Sequence, residues 1–435
     1  MQYRDPKLFG SFFIPVRNDY NSHHKSQTTH MNKKNSIWLV TITLAGLGMI
    51  GPFATDTYLP SFQEIEAEFG TPEALVQQTL SIYLITFAVM TLIYGTLSDM
   101  FGRKPIIIGG LMLFFGASLF AACAPNFECL LIARGLQGLT AGAGIVIGQA
   151  VVRDLYGGST AQQLMANIAM VFSLAPAIAP ILGGAIADHL GWRFVFVFIM
   201  LYAASMILLT WRALPESLPP EKRQPVNFKN LAEQYRDTLK DKSFMFAAFS
   251  TGLSFGGQAT YIACASNIIV KILGMPVTQF GWLFIPMISG TVFGSWLSGR
   301  LARKFSTPLI VNLGLTFMTI GAAADLVCSI WLDDYLGVPY MFFPVTLCIF
   351  GMSIARPGMT IMSLSMRPKT LGLASSLVAF CQTVVFAVIS GLIAPLLFGS
   401  LMKMSVSLAI CTAVSIAFWI LSRLTGQIRH ADVVE

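Results

Sequence analysis

The chain has 435 residues, of which 55% are hydrophobic and 11% charged, and its mean hydropathy is +0.68. Soluble domains carry about 25% charged residues, so the polar surface is too small for a water-soluble fold and the solvent is expected to be largely lipid. The net charge of +7 does not point to nucleic acid, because the basic residues sit between apolar runs and form neither a patch nor an alternation with aromatics.

In chain order, residues 1–36 are polar and basic, with no signal-peptide core before Asn35 and a second plausible start at Met31. They are expected to form a cytoplasmic tail ahead of an uncleaved first span. Runs of about 20 apolar residues suffice to cross the hydrocarbon. Such runs lie near 37–59, 76–97, 105–124, 128–151, 163–187 and 193–212, and again near 244–270, 280–299, 307–330, 338–356, 371–397 and 402–423. The first loop holds Glu64, Glu66, Glu68 and Glu73 without a Lys or Arg, whereas the next loop carries Arg103 and Lys104. The middle segment carries Lys222, Arg223, Lys229, Arg236, Lys240 and Lys242, and four prolines. This bias puts both termini and the middle segment in the cytoplasm. The sequence therefore predicts an all-α integral membrane protein of twelve spans: a bundle over 37–214, a linker over 215–243, a bundle over 244–423 and a tail over 424–435. Leu97-Ser98 with Arg103-Lys104 recurs as Leu297-Ser298 with Arg303-Lys304 after the eighth run, which marks the bundles as pseudo-symmetric halves.

A charge inside the hydrocarbon costs roughly 2.5–3.5 kcal/mol on insertion scales, so those in the spans need a reason. Asp56 lies about 5 Å and Arg134 about 9 Å below the same face, which allows a shared aqueous cavity, a mutual interaction or separate snorkelling. The functional reading is a carboxylate that loads and unloads a proton, tuned by the arginine. Arg356, at the expected inner end of the tenth run, is read as snorkelling toward the cytoplasm. After the second run comes Gly95-Thr-Leu-Ser-Asp99-Met-Phe-Gly102-Arg103-Lys104-Pro105. There Gly95 is expected to allow close helix approach and Gly102 a tight turn with positive φ. Asp99 is expected to face a neighbouring helix N-terminus, and Arg103 to reach Asp154. In the fifth run Pro176, Pro180 and Gly184 share one face, beside Gly183, where they can bend the helix and admit a neighbour.

The segment from Gly95 to Lys104 resembles the loop 2–3 signature of the major facilitator superfamily, Gly-x-x-x-Asp-x-x-Gly-Arg-Lys/Arg. That resemblance implies the major facilitator fold and a cytoplasmic latch between the halves. The second copy departs from it at Gly299 and Ala302. Arg134-Gly-Leu-Gln137-Gly138 is similar to the family's span 4 motif, whose arginine is tied to proton coupling in antiporters. Pro176 through Gly184 is similar to its antiporter motif. With Asp56-Thr-Tyr58-Leu59-Pro60, Trp192-Arg193 and Gly372-Leu-Ala374, the chain looks like the drug:proton antiporter branch of the bicyclomycin and chloramphenicol/florfenicol resistance type. The resemblance implies a monomeric exchanger of protons for drug-like small molecules in a bacterial inner membrane.

Tyr58, Gln137, Phe255, Gln258, Tyr261 and Gln382 are the polar and aromatic candidates for lining a cavity between the halves. A transporter of one metabolite is the rival within this class. An enzyme would need a nucleophile–base pair or a metal cluster, and the five histidines and seven cysteines are scattered. There is no GxxxxGK[ST] for nucleotide, so no cofactor or metal is expected. A transport-dead receptor would not need Asp56 and Arg134.

Overall fold

The computed structural model describes residues 37–156, 158–223, 228–331 and 342–431, and every regular element among them is helical. The predicted tail over 1–36 lies outside the described residues. Helix is what lipid demands, because each backbone N–H and C=O must be satisfied within its own segment.

The first half consists of span 1 (Ile37–Asp56), span 2 (Glu73–Thr91, continued by Tyr94–Phe101), span 3 (Arg103–Ala122), span 4 (Phe127–Ala141 and Ala143–Leu155), span 5 (Gly158–Leu190) and span 6 (Trp192–Ala213). The second consists of span 7 (Lys242–Ser254 and Gly256–Ala263), span 8 (Gly281–Leu301), span 9 (Thr307–Trp331), span 10 (Phe343–Ser365), span 11 (Leu371–Val388, running on to Leu397) and span 12 (Leu401–Ala431). Among the described residues, ten of these spans are long and apolar enough to cross a membrane; span 7 is interrupted at Phe255. Within the halves, spans 1 and 5, 2 and 4, and 3 and 6 pack together, as do 7 and 11, 8 and 10, and 9 and 12. The halves meet where span 2 packs on span 11 and span 5 on span 8. The side carrying the 214–241 connection is called the linker face, and the opposite side the far face.

Four stretches differ from the sequence reading. The first loop contains a helix, Phe62–Phe69, whose Phe62 and Ile65 are buried. The linker contains an amphipathic helix, Phe228–Leu239, whose Tyr235 hydroxyl donates to the Leu92 carbonyl at 2.9 Å. Span 10 runs through Pro357 to Ser365 instead of ending near 356, since a proline in a membrane helix does not force a stop. Span 12 continues into the segment read as a tail, to Ala431.

The turn between spans 2 and 3 rests on Gly102, whose φ of 98° is a left-handed value. A Cβ there would meet Glu216 Oε2 at 2.6 Å and Arg223 Nη2 at 2.7 Å. Among the described residues, no atom outside its own helix backbone lies within 4 Å of the same test position at Gly95, so the close approach expected of it is not made there. Gly102→Ala should therefore lower the thermal midpoint of the detergent-purified protein, by about 1–2 kcal/mol from the backbone alone. Gly95→Ala should leave it nearly unchanged; equal midpoints for the two variants would refute this account.

Candidate functional site

At the far-face end of the N-terminal half a knot of polar groups is sealed from solvent. Arg134 is wholly buried. Its Nη1 donates to the Ala54 carbonyl at 3.0 Å and to Gln137 Oε1 at 2.8 Å, and Gln137 Nε2 donates to Ser118 Oγ at 2.8 Å. The guanidinium lies 4.6 Å from the Tyr58 ring and 4.5 Å from that of Tyr83, a cation–π pairing with each. Tyr58 shares a 2.8 Å hydrogen bond with Thr79. Asp56, the last residue of the span 1 helix, is buried, and its Oδ1 accepts from Thr55 Oγ1 at 2.9 Å. No ion pair joins Asp56 to Arg134, so the mutual interaction the sequence allowed is not formed. Tyr58 and Gln137, read from sequence as cavity-lining, are enclosed within the bundle because they answer the arginine.

Linker-face chemistry centres on Arg103. Its guanidinium pairs with Asp99 at 2.6 Å and Asp154 at 3.0 Å, and donates to Ser98 Oγ at 2.6 Å. Asp99 therefore serves the arginine, not a neighbouring helix N-terminus as expected. That N-terminus is capped from the linker: Glu216 accepts from the backbone N–H of Arg103 at 3.0 Å and of Lys104 at 3.3 Å. Lys104 Nζ donates to the Trp211 carbonyl at 2.8 Å, and Ser217 to Asp154 at 3.0 Å. Glu216 was missed in the sequence, although it follows Pro215 at the end of span 6, where a chain leaving a helix passes the next helix start.

The far face is where the halves are tied. Lys271 pairs with Glu66 at 2.9 Å and with Glu73 at 3.0 Å, and Asn267 donates to Glu73 at 3.0 Å. Gln77 donates to Ser390 at 2.8 Å, Gln78 to the Gly391 carbonyl at 2.8 Å, and Ser81 to Ser390 at 3.2 Å. Pro176 and Pro180 lie within the unbroken span 5 helix. At its far-face end Gly183 packs against the backbone of Thr57, and Gly184 against that of Val277 in the other half. The acidic loop is thus divided: Glu66 and Glu73 cross the seam, while Glu64 accepts from the Trp192 backbone at 2.7 Å and Glu68 pairs with Arg193 at 2.5 Å. For Lys271, partial burial works against the charge, but the Glu66 and Glu73 carboxylates outweigh it and hold the ammonium above its usual range.

In the C-terminal half, Tyr261 is buried and its hydroxyl donates to Asp325 Oδ2 at 2.7 Å. Tyr261 is therefore enclosed, not cavity-lining as expected. Asp325 was missed, although an acid six residues from the end of span 9 was visible in the sequence. Phe255 sits at the break in span 7, 5.6 Å from the Phe386 ring, and Gln258 is half-buried. Arg356 donates from Nη2 to Gln382 Oε1 at 2.7 Å. It lies within span 10, not at its end, which removes the snorkelling expected of it.

Two pseudo-symmetric helical bundles, tied at one face and joined through the other by a polar linker, are the build of a membrane transporter. The chain belongs to the Major Facilitator Superfamily, which it matches over residues 44–390. It is 29% identical over 389 residues to a bicyclomycin resistance protein homolog of Haemophilus influenzae, covering 89% of this chain and 96% of that one. It is 26% identical to multidrug resistance protein D of Escherichia coli, covering 84% and 91%, and 26% identical to a chloramphenicol resistance protein of Pseudomonas aeruginosa, covering 71% and 74%. Among solved structures, a bacterial homolog of the human lysosomal transporter Spinster in an inward-facing, unoccupied conformation aligns with a TM-score of 0.68 at 16% identity, covering 89% of this chain and 96% of that one. The nucleoside transporter NupG aligns with a TM-score of 0.68 at 11% identity, covering 89% and 99%. These two share the fold.

Two outcomes are expected. In a background without other cysteines, Ser81→Cys with Ser390→Cys should form a disulfide that stops transport until reduced, since the two oxygens are 3.2 Å apart. Adding Lys271→Glu should slow that cross-linking. Because the Lys271 value is raised, its share of the tie is complete below the ordinary lysine value of 10.5 and is lost only as pH rises through the higher folded value. Cross-linking in which Lys271→Glu makes no difference would remove Lys271 from the seam. Separately, Tyr261→Phe strips Asp325 of a buried donor and should cost roughly 1–3 kcal/mol, read as a lower thermal midpoint; Tyr235→Phe, at a part-buried bond, should cost less.

Proposed function

We propose that the protein exports small, largely apolar compounds in exchange for protons, by alternating access between its two halves. The observation that carries this is Asp56: a carboxylate enclosed at the end of a span, given one neutral donor and, among the described residues, no cation within 4.0 Å. A charge held that way in hydrocarbon is expensive, and taking up a proton removes the expense. Opening the far face would wet Asp56 and let it exchange protons with that side. Movement of span 1 against span 4 would alter its distance from the Arg134 guanidinium, and a nearer cation favours release. Each conformation thus holds the proton differently, which is what coupling requires.

The far-face ties support a conformation open toward the linker face, and the basic residues of that face support its lying in the cytoplasm. The Arg103–Asp99–Asp154 group, with Glu216, is confined to the N-terminal half and the linker, so a latch onto the other half would form only when the far face opens. The printed names of the relatives, which speak of bicyclomycin, multidrug and chloramphenicol resistance, support antibiotic-like compounds as cargo. On this reading the carrier works as a monomer in a bacterial inner membrane.

Asp56→Asn should abolish chloramphenicol export driven by a pH gradient in everted vesicles while leaving downhill exchange. It should also suppress the proton release that chloramphenicol elicits from detergent-purified protein. Undiminished release and export in the variant would move coupling to another acid, of which Asp325 is the best buried among the described residues.

A further inference from the structure

We propose that Arg356, Gln382 and Phe255 form a substrate subsite in the space between the halves, one that takes the negatively charged or strongly hydrogen-bond-accepting end of an aryl compound. The proposal rests on the transport reading above and names the class of cargo for it.

Arg356 is too deep to carry its charge to an interface. Span 10 runs from Phe343 to Ser365, which sets Arg356 about 20 Å from one end and about 14 Å from the other at 1.5 Å per residue. A cation at such depth faces either a bundle interior or a water-filled cavity. Arg356 does not face a sealed interior, and the contrast with Arg134 makes this plain. Arg134 is wholly buried, and its Nε and Nη2 are enclosed without partners. Arg356 is half-buried, and its Nε and Nη1 are not among the enclosed atoms. Among the described residues no carboxylate pairs with it, and its one side-chain hydrogen bond is the 2.7 Å donation to Gln382.

What surrounds the guanidinium is chemically one-sided. Gln382 spends its carbonyl oxygen on Arg356, so its amide N–H groups remain as donors alongside Nε and Nη1. The Phe255 ring lies 5.5 Å from the guanidinium carbon, at the joint where span 7 breaks. Span 11, which carries Gln382, is the span that packs along span 2 of the opposite half, so the group borders the seam. Donors and a positive charge beside an aromatic face suit an aryl carboxylate, sulfonate, nitro or carbonyl compound. The same charge repels a lipophilic cation of equal size.

Tetraphenylborate and tetraphenylphosphonium, nearly identical in shape and opposite in charge, separate the effects. Their binding to the full-length protein is measured by equilibrium dialysis in nanodiscs of zwitterionic lipid, with empty discs subtracted. Arg356→Gln should weaken tetraphenylborate about tenfold and tighten tetraphenylphosphonium, while Arg356→Lys should keep most of the preference. Gln382→Glu, which gives the guanidinium a built-in carboxylate, should reproduce the Arg356→Gln result in a chain that retains the arginine. Ion binding unchanged in both Arg356→Gln and Gln382→Glu would overturn the subsite. If the wild type still exported chloramphenicol from cells, the transport reading would survive that result. A wild type that binds neither ion and exports no chloramphenicol would overturn both.

Discussion

A guanidinium sealed inside a membrane bundle organises the groups packed around it, and the Arg134 group governs the N-terminal half for that reason. Its hydrogen bonds reach the carbonyl of Ala54 in span 1 and, through Gln137, the hydroxyl of Ser118 in span 3. Tyr58 and Tyr83 of span 2 each set a ring against it. One cation thereby fixes the relative positions of spans 1 to 4. Its attention goes to a carbonyl and to aromatic faces, so the Asp56 carboxylate two residues beyond Ala54 is left with a neutral threonine. The coupling proposed for Asp56 depends on that division of partners.

The seam between the halves is built on a different principle. Where Gly184 meets Val277, backbone lies on backbone, and close contact without interlocking side chains lets two rigid bodies separate. The polar ties above it are the part-exposed Lys271–Glu66 pair and buried bonds made by Asn267, Gln77 and Ser81. An exposed pair is worth about 0–1 kcal/mol and a typical internal hydrogen bond about 0.5–1.5 kcal/mol net, small enough singly for the proposed export cycle to release. Placing the sealed cation within a half and single, separable bonds between the halves suits the two-state cycle proposed above.

The linker does more than connect. A helix start leaves its first N–H groups without partners, and at span 3 the carboxylate of Glu216 supplies them from outside the bundle. Ser217, its neighbour, reaches the same Asp154 that Arg103 holds. The exit from span 6 is therefore strapped to the turn between spans 2 and 3, so a movement of that turn is felt at the start of the chain segment leading to the second half.

The sequence by itself determined the spans, the two halves and the pairing of Arg103 with Asp154. Transfer of apolar residues into lipid is a local property, summed along the chain, and the turn at Gly102 leaves little freedom to the groups flanking it. Span 10 shows where this stops: the helix runs past the end of the apolar run near 356 to Ser365, and Arg356 moved from an interface to mid-membrane. Asp325 was equally visible as a letter, but its partner Tyr261 is 64 residues away. Tyr58 and Gln137 have the composition of cavity residues, yet they surround Arg134. Which face a helix turns inward, and which distant side chain meets it there, depends on the packing of all the spans at once. That rotation decides whether a buried charge is sealed, paired or open to a ligand, and only the tertiary structure fixes it.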